Sequence, residues 1–146
     1  MTRPTTDEQL PEKKEKRFMA RILVVDDDSV VAGLLLETLT SAGHQVLLAH
    51  DMAQGFELTQ SQSLDLALVD VEMPGGQHAG FELLERIKEY NSSIAVIIIT
   101  GEASKQRIVA ALRGGAQDFI EKPFSPDDVL KRVDVALLQQ RTASAY

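Results

Sequence analysis

The chain has 146 residues, of which 44% are hydrophobic and 25% charged, and this composition is ordinary for one globular domain. The absence of cysteine excludes disulfides and thiolate metal sites. Residues 1–21 carry a net charge of +2 and the remainder −9, which argues against a broad basic face for nucleic acid. We find no apolar run near the roughly 20 residues of a membrane span and no signal peptide core, so we expect a cytoplasmic protein without a membrane span.

The first segment and the strands are indicated by composition. Residues 1–19 are polar, contain prolines and lack hydrophobic periodicity, which predicts a flexible N-terminal tail. Short apolar runs typical of buried strands then recur along the chain. They lie at Ile22–Val25, Val46–Ala49, Leu66–Val69, Ala95–Ile99 and Phe119–Ile120.

Stretches with apolar residues at helical spacing separate these runs. The predicted stripes are Val30, Val31, Leu34, Leu35 and Leu39; a weaker one over Met52–Gln60; Phe81, Leu83, Leu84 and Ile87; Ile108, Val109, Ala111 and Leu112; and Val129, Leu130, Val133 and Leu137. Gly43 and Gly114-Gly115 suit helix ends, and Ser125-Pro126 suits a helix start. Five such repeats predict an α/β domain over residues 20–140, a doubly wound five-stranded parallel sheet with five helices, followed by a C-terminal tail over 141–146.

Polar side chains follow the predicted strands where ligands bind in such sheets, at the carboxyl ends. Strand one is followed by Asp26-Asp27-Asp28, strand three by Asp70, strand four by Thr100 and strand five by Lys122. Clustered carboxylates are tolerable there if a divalent cation neutralises them, and Mg²⁺ prefers such oxygen ligands. Beside a lysine and a hydroxyl, a carboxylate is also suited to accept a phosphoryl group as an acyl phosphate, with Asp70 as nucleophile.

Four motifs in order, "ILVVDDDS", "LVDVEMP", "VIIITGEAS" and "DFIEKPF", resemble the receiver domain of two-component response regulators, a CheY-like family. The resemblance covers about residues 20–140 and implies a flavodoxin-like strand order 2-1-3-4-5. It implies that Asp70 is the phospho-acceptor and that Lys122, joined to Pro123 by a cis peptide bond, contacts the phosphoryl group. Thr100 and Phe119 take the switch positions.

The metal site implied by the resemblance holds Mg²⁺, for which Mn²⁺ or Ca²⁺ can substitute. Its ligands are Asp27 directly, Asp26 through water, Asp70 and the backbone carbonyl of Glu72. Asp28 matches no ligand and is predicted to cap the first helix. The side chains of Glu72 and Glu102 flank the phosphoryl group and are expected to tune its hydrolysis.

The resemblance also implies partners and a mode of action. A sensor histidine kinase or phosphotransfer protein donates the phosphoryl group, and the face built from helix four, strand five and helix five changes to suit a downstream effector protein or domain. A homodimer through that face is one arrangement that the resemblance allows. The chain itself is expected to be a phosphoprotein switch that only catalyses its own phosphorylation and dephosphorylation, not an enzyme, and not to bind nucleic acid directly.

The stretch "MPGGQHAGFELL" departs from the family pattern. It is two residues longer than the usual Met-Pro-x-x-Asp-Gly and has no acid before Gly80, and its three glycines suggest mobility. His44, His50 and His78 lack the spacing of a zinc pair, so solvated histidines are favoured; His78 stays open because its loop borders Asp70.

Other interpretations remain open at this stage. Taken singly, the aspartates suit helix caps, Thr100 a strand end, Lys122 a surface position and Phe119 the core. "DVE" faintly resembles the Asp-x-Asp motif of haloacid-dehalogenase phosphatases, although that motif usually follows the first strand and its second acid is aspartate. A docking module without phosphoryl chemistry is a third reading.

Overall fold

The computed structural model describes residues 19–73 and 79–144. The strands are β1 (Arg21–Val25), β2 (Gln45–Ala49), β3 (Leu66–Asp70), β4 (Ala95–Thr100) and β5 (Asp118–Glu121). The helices are α1 (Ser29–Ser41), α2 (Met52–Ser61), α3 (Ala79–Tyr90), α4 (Lys105–Arg113) and α5 (Pro126–Ser144). All strand pairs are parallel in the order β2-β1-β3-β4-β5, which confirms the predicted fold.

The three inner strands, β1, β3 and β4, are buried on both faces, because alternate side chains enter two separate cores. In β1, Leu23 and Val25 join the core beneath α2, α3 and α4, whereas Ile22 and Val24 join the core beneath α1 and α5. The sheet is therefore the middle layer of three, and all five strands end at the same edge.

Two predicted helical stripes were wrong in part. Val30 and Leu34 of α1 are 79% and 42% exposed. The buried face of α1 is instead formed by Ala32, Leu35 and Leu39, whose spacing of three and four residues follows the helical period. In α4, likewise, Val109 and Leu112 are exposed and Ala111 is buried.

The prediction of solvated histidines was wrong for His44. His44 is 5% exposed, and its Nδ1 accepts a hydrogen bond of 3.0 Å from the Ala20 N–H. Burial lowers the pKa of His44 below its ordinary value, so the neutral ring is favoured as part of the packing next to β1. His50 is exposed as predicted, and His78 lies outside the described residues.

The C-terminal end of the domain also differs from the expectation. The last helix extends to Ser144, through most of the predicted C-terminal tail 141–146. Its final turns are held because Gln140 Nε2 donates to the Ser93 carbonyl at 3.1 Å and Arg141 Nη2 to the Met19 carbonyl at 3.1 Å. Apart from Met19, the predicted N-terminal tail lies outside the described residues. None of the helices described is long and apolar enough to cross a membrane.

Gly80 has a packing role that the prediction of mobility missed. It is buried in the first turn of α3, and a Cβ there would lie 2.5 Å from the Val71 Cα and 2.8 Å from the Asp70 carbonyl oxygen. Only glycine allows so close an approach of helix and strand. The neighbouring segment 74–78, with Gly75, Gly76 and the extra loop length, lies outside the described residues.

Candidate functional site

The end of β1 supplies two carboxylates with different surroundings. Asp26 is fully buried; its backbone N–H donates to the Ala49 carbonyl at 3.0 Å, and its Oδ1 accepts from the Asp28 N–H at 2.9 Å. Asp27 is exposed. Asp28 caps α1 as predicted, since its Oδ1 accepts from the N–H groups of Val30 and Val31. The three adjacent aspartates thus differ in their surroundings: Asp26 is buried, Asp27 is exposed and Asp28 caps α1.

Asp70 ends β3 and is 1% exposed. Its Oδ1 accepts from the Glu72 N–H at 2.9 Å, and its Oδ2 accepts from Lys122 Nζ at 3.1 Å. Lys122 is brought there by the turn after β5, where its own N–H donates to the Thr100 carbonyl at 2.8 Å and its bond to Pro123 is cis. The predicted placement of Lys122 beside Asp70 and its predicted cis bond are both confirmed.

The lysine ammonium serves two carboxylates. Its Nζ also lies 3.8 Å from Asp26 Oδ2. Burial alone lowers the pKa of Lys122, but the hydrogen bond and charge of Asp70, together with the charges of Asp26 and Glu72, outweigh it and raise the pKa above its ordinary value. Lys122 is therefore a permanent cation at this edge of the sheet.

Asp26, Asp27 and Asp70 form a cluster whose ligand atoms lie within 4.8 Å of one another. Asp26 Oδ2 is buried and has no hydrogen-bond partner among the described residues. Burial, with the charge of Asp70 adding to it, raises the pKa of Asp26 to about 7. A buried carboxylate oxygen that has no hydrogen bond and only a 3.8 Å ion pair with Lys122, beside two further carboxylates, suits a divalent cation, which would supply a closer partner.

Thr100 is 2% exposed at the end of β4, and its hydroxyl belongs to a second network. Its Oγ1 accepts from the Glu102 N–H at 3.0 Å and from Arg107 Nη1 at 2.9 Å. It lies 3.4 Å from Glu72 Oε2, which also accepts from Arg107 Nη1 at 3.1 Å. The hydrogen bonds described for this hydroxyl thus go to Glu72, Glu102 and Arg107.

Arg107 is the site residue that the sequence reasoning missed. It lies in the first turn of α4, where Ser104 Oγ caps the helix by accepting its N–H at 3.2 Å. An arginine seven residues after a strand end belongs to none of the four motifs. The only signal available was the unusual acid Glu72, whose carboxylate needs a cationic partner.

Phe119 and Glu102 are near the site without joining the cluster of carboxylates. Phe119 is half-buried in β5 and packs against the core beneath α3 and α4. Glu102 engages Thr100 through its backbone, since its N–H donates to Oγ1 and its carbonyl lies 3.1 Å from it. The predicted effects of both residues on switching and hydrolysis stay predictions.

The fold and this edge of the sheet define a class of α/β protein in which a buried aspartate lies between other acids and a lysine. Comparison with known families places the chain in that class. The family model of the response regulator receiver domain matches residues 22–134. The chain belongs to this family.

Individual relatives agree. The chain is 37% identical over 122 residues to the uncharacterized transcriptional regulatory protein YrkP of Bacillus subtilis, covering 84% of this chain and 51% of the relative. It is 32% identical over 125 residues to the response regulator MprA of Mycobacterium bovis, covering 86% and 54%. The chain thus spans about half the length of the curated relatives it matches.

Solved structures show the same unit alone and within longer chains. A CheY-like receiver domain protein from Methanospirillum hungatei superposes with a TM-score of 0.81 at 31% identity, covering 86% of this chain and 98% of that one. NtrX from Brucella abortus, crystallised in complex with ADP, superposes with a TM-score of 0.82 at 31% identity, but this chain covers only 29% of it.

Proposed function

We propose that this chain is a Mg²⁺-dependent phosphorylation switch of a two-component system. Asp70 takes a phosphoryl group from the phosphohistidine of a sensor histidine kinase or phosphotransfer protein. The observation that carries the proposal is the position of Asp70, whose carboxylate accepts from Lys122 at 3.1 Å and shares a cluster with Asp26 and Asp27.

The chemistry follows from these groups. A carboxylate oxygen of Asp70 attacks phosphorus, the P–N bond to the histidine ring breaks, and the ring nitrogen keeps the electron pair, leaving an acyl phosphate. Mg²⁺ held by Asp26, Asp27, Asp70 and the Glu72 carbonyl would offset the charge on the phosphoryl oxygens. Lys122, whose Nζ donates to Asp70 Oδ2 at 3.1 Å, contributes a fixed positive charge that needs no reorganisation during transfer.

The response of the domain is part of the proposal. Thr100 turns its hydroxyl to the phosphoryl group, and Phe119 changes its packing, which alters the face built from α4, β5 and α5. An effector protein or domain reads that face; direct contact of this chain with nucleic acid is not part of the proposal. The chain acts as a switch with self-catalysed phosphorylation and dephosphorylation only.

One contact argues against a multiple-turnover phosphohydrolase. Such an enzyme would need the second acid of "DVE", Glu72, as a general acid free to protonate a leaving group. Instead Glu72 accepts hydrogen bonds from Gly101 and Arg107. Steady release of phosphate from a phosphomonoester would favour the enzyme over the switch.

The test is labelling by acetyl phosphate, followed by mass spectrometry. We expect Mg²⁺-dependent addition of about one phosphoryl group per chain, lost in Asp70→Asn and weakened in Asp27→Ala. Asp65→Asn is a matched control, because Asp65 lies directly before the first residue of β3, at the opposite edge of the sheet from Asp70. Its Oδ2 accepts a hydrogen bond from the Arg21 N–H. Labelling that persists in Asp70→Asn, or that is lost equally in Asp65→Asn, would refute the assignment.

A further inference from the structure

The side chain of Glu72 is held by donors that come from β4 and α4. Its Oε1 accepts from the Gly101 N–H at 2.8 Å, and its Oε2 accepts from Arg107 Nη1 at 3.1 Å. The Thr100 hydroxyl lies 3.4 Å from the same Oε2 and 3.1 Å from the Glu102 carbonyl, so Glu72 shares this donor with Glu102. A backbone N–H, a hydroxyl and a guanidinium thus surround one carboxylate, as they would surround any small anion with several acceptor oxygens.

These donors lie directly beside the acceptor aspartate. Asp70 pairs in register with Ile99, and the Val71 N–H donates to the Ile99 carbonyl at 3.0 Å. Thr100 and Gly101 are the next two residues of that neighbouring strand end. An anion attached to the Asp70 carboxylate would therefore meet the same N–H and hydroxyl, each of which has a single hydrogen to donate.

We propose that the Glu72 carboxylate occupies the donors that a phosphoryl group on Asp70 requires, and that Arg107 is a positioning residue which keeps it there. This inference rests on the proposed function. Phosphorylation then has to expel Glu72 from Gly101 and Thr100, and Glu72 acts as an internal competitor of the phosphoryl group.

The packing around Glu72 gives the competition a route to the rest of the domain. A Cβ on Gly101 would lie only 3.2 Å from Glu72 Oε1, so the carboxylate is seated closely on the strand end. Arg107, its holder, is in the first turn of α4 and also donates to Thr100. Expulsion of Glu72 therefore removes the contact between Arg107 of α4 and the segment that follows β3, whereas the hydrogen bond from Arg107 to Thr100 at the end of β4 does not depend on Glu72.

Arg107 and Glu72 are only partly exposed, at 21% and 35% of their side-chain surfaces. A fully exposed pair would contribute little, and the chain contains such a pair for comparison. Arg86 Nη2 lies 3.6 Å from Glu82 Oε1 on α3, with side chains 49% and 54% exposed. Arg86→Ala is thus a matched control, because it breaks an arginine–glutamate pair that has no contact with Glu72, Thr100 or Arg107 in the hydrogen bonds described.

The experiment measures binding of beryllofluoride, a phosphoryl mimic, by amide NMR titration in the presence of Mg²⁺. We compare wild type with Glu72→Ala, Arg107→Ala, the double variant and Arg86→Ala. We expect half-saturation at a concentration lower by about threefold to tenfold in Glu72→Ala, since a few charge-assisted hydrogen bonds no longer compete. Arg107→Ala should shift in the same direction by a smaller factor, and Arg86→Ala should match wild type.

The double variant identifies how Arg107 acts. If Arg107 works through Glu72, the double variant equals Glu72→Ala within about twofold, because contacts in one network are not additive. A further weakening of binding in the double variant would show that Arg107 holds the anion itself, which contradicts the positioning role. Arg107→Lys, which keeps the charge, should restore most of the wild-type value.

Two further readouts separate the inference from folding and from the proposed function. In the unliganded protein, the Gly101 amide resonance should shift in Glu72→Ala, because its hydrogen bond is lost; Glu72→Gln provides the same titration if the alanine variant does not fold. If Glu72→Ala binds beryllofluoride no more tightly than wild type, the inference is overturned. The proposed function still stands in that case, provided that wild type binds. Failure of wild type itself to bind overturns both.

Discussion

Replacement of Asp26 by asparagine should make the protein more stable when no divalent cation is present. The carboxylate is fully buried, its Oδ2 has no hydrogen-bond partner among the described residues, and Asp70 adds a like charge beside it. Asparagine keeps the shape and the oxygen that accepts from the Asp28 N–H. It removes the charge, puts an amide NH2 in place of Oδ2 and ends the 3.8 Å ion pair with Lys122, whose effect on the pKa of Asp26 is smaller than that of burial and Asp70.

The size of the effect follows from the pKa of Asp26, which burial raises from 3.8 to about 7. The folded chain binds this proton more tightly than the unfolded chain, so the stability of wild type falls as pH rises from about 4 through about 7. The full difference of three pKa units corresponds to about 4 kcal/mol. The buried amide retains part of this cost, so we expect a gain of roughly 1–3 kcal/mol at pH 8, or roughly 3–10 °C in melting temperature.

The assay is thermal unfolding of wild type and Asp26→Asn with EDTA at pH 8 and pH 5. The difference between the two proteins should shrink at pH 5, where Asp26 is protonated. His44, whose pKa is lowered by burial, destabilises both proteins alike at low pH and cancels in the comparison. Mg²⁺ should raise the melting temperature of wild type more than that of the variant, since binding stabilises the folded state. Equal melting temperatures at pH 8 without metal would refute the reasoning.

Two further predictions concern Gly80 and Lys122, which lie beside Asp70. Gly80→Ala should lower the free energy of unfolding in urea by about 2–3 kcal/mol, because its Cβ would clash with the backbone at Val71. Gly33→Ala in α1 is the control: a Cβ there has nothing within 4 Å, so this variant should gain up to about 1 kcal/mol. Similar changes in both variants would contradict the packing argument. Lys122→Gln should cost about 1–3 kcal/mol with EDTA, because Asp70 loses a cation at 3.1 Å, and less with Mg²⁺. An equal loss in both buffers would show that charge is not the cause.

The sequence predicted the sheet and the meeting of Asp70 with Lys122 because both depend on local rules. Continuous apolar runs specify strands buried on both faces, and parallel strands bring Asp70 and Lys122 to one edge although they are far apart in the chain. Strand ends were wrong by only a residue or two at the polar positions. The exposed face of α1 was missed because Val30 and Leu34 are apolar without being buried.

What the sequence did not predict depends on side-chain partners from distant elements. His44 is polar and follows a helix end, so nothing nearby indicated that its ring nitrogen accepts from Ala20. Arg107 is one of several cations in its helix, and only the folded chain shows that it contacts both Glu72 and Thr100. Such choices are made by tertiary packing, which periodicity does not encode.

The close seating of Gly80 on the end of β3 has a consequence for how this connection can vary. Val71 and Met73 are buried before the segment 74–78, and Ala79 and Gly80 are buried after it. Both ends of the connection are thus fixed independently of its length. A change in the length of the segment 74–78 therefore need not displace Asp70 at the end of β3.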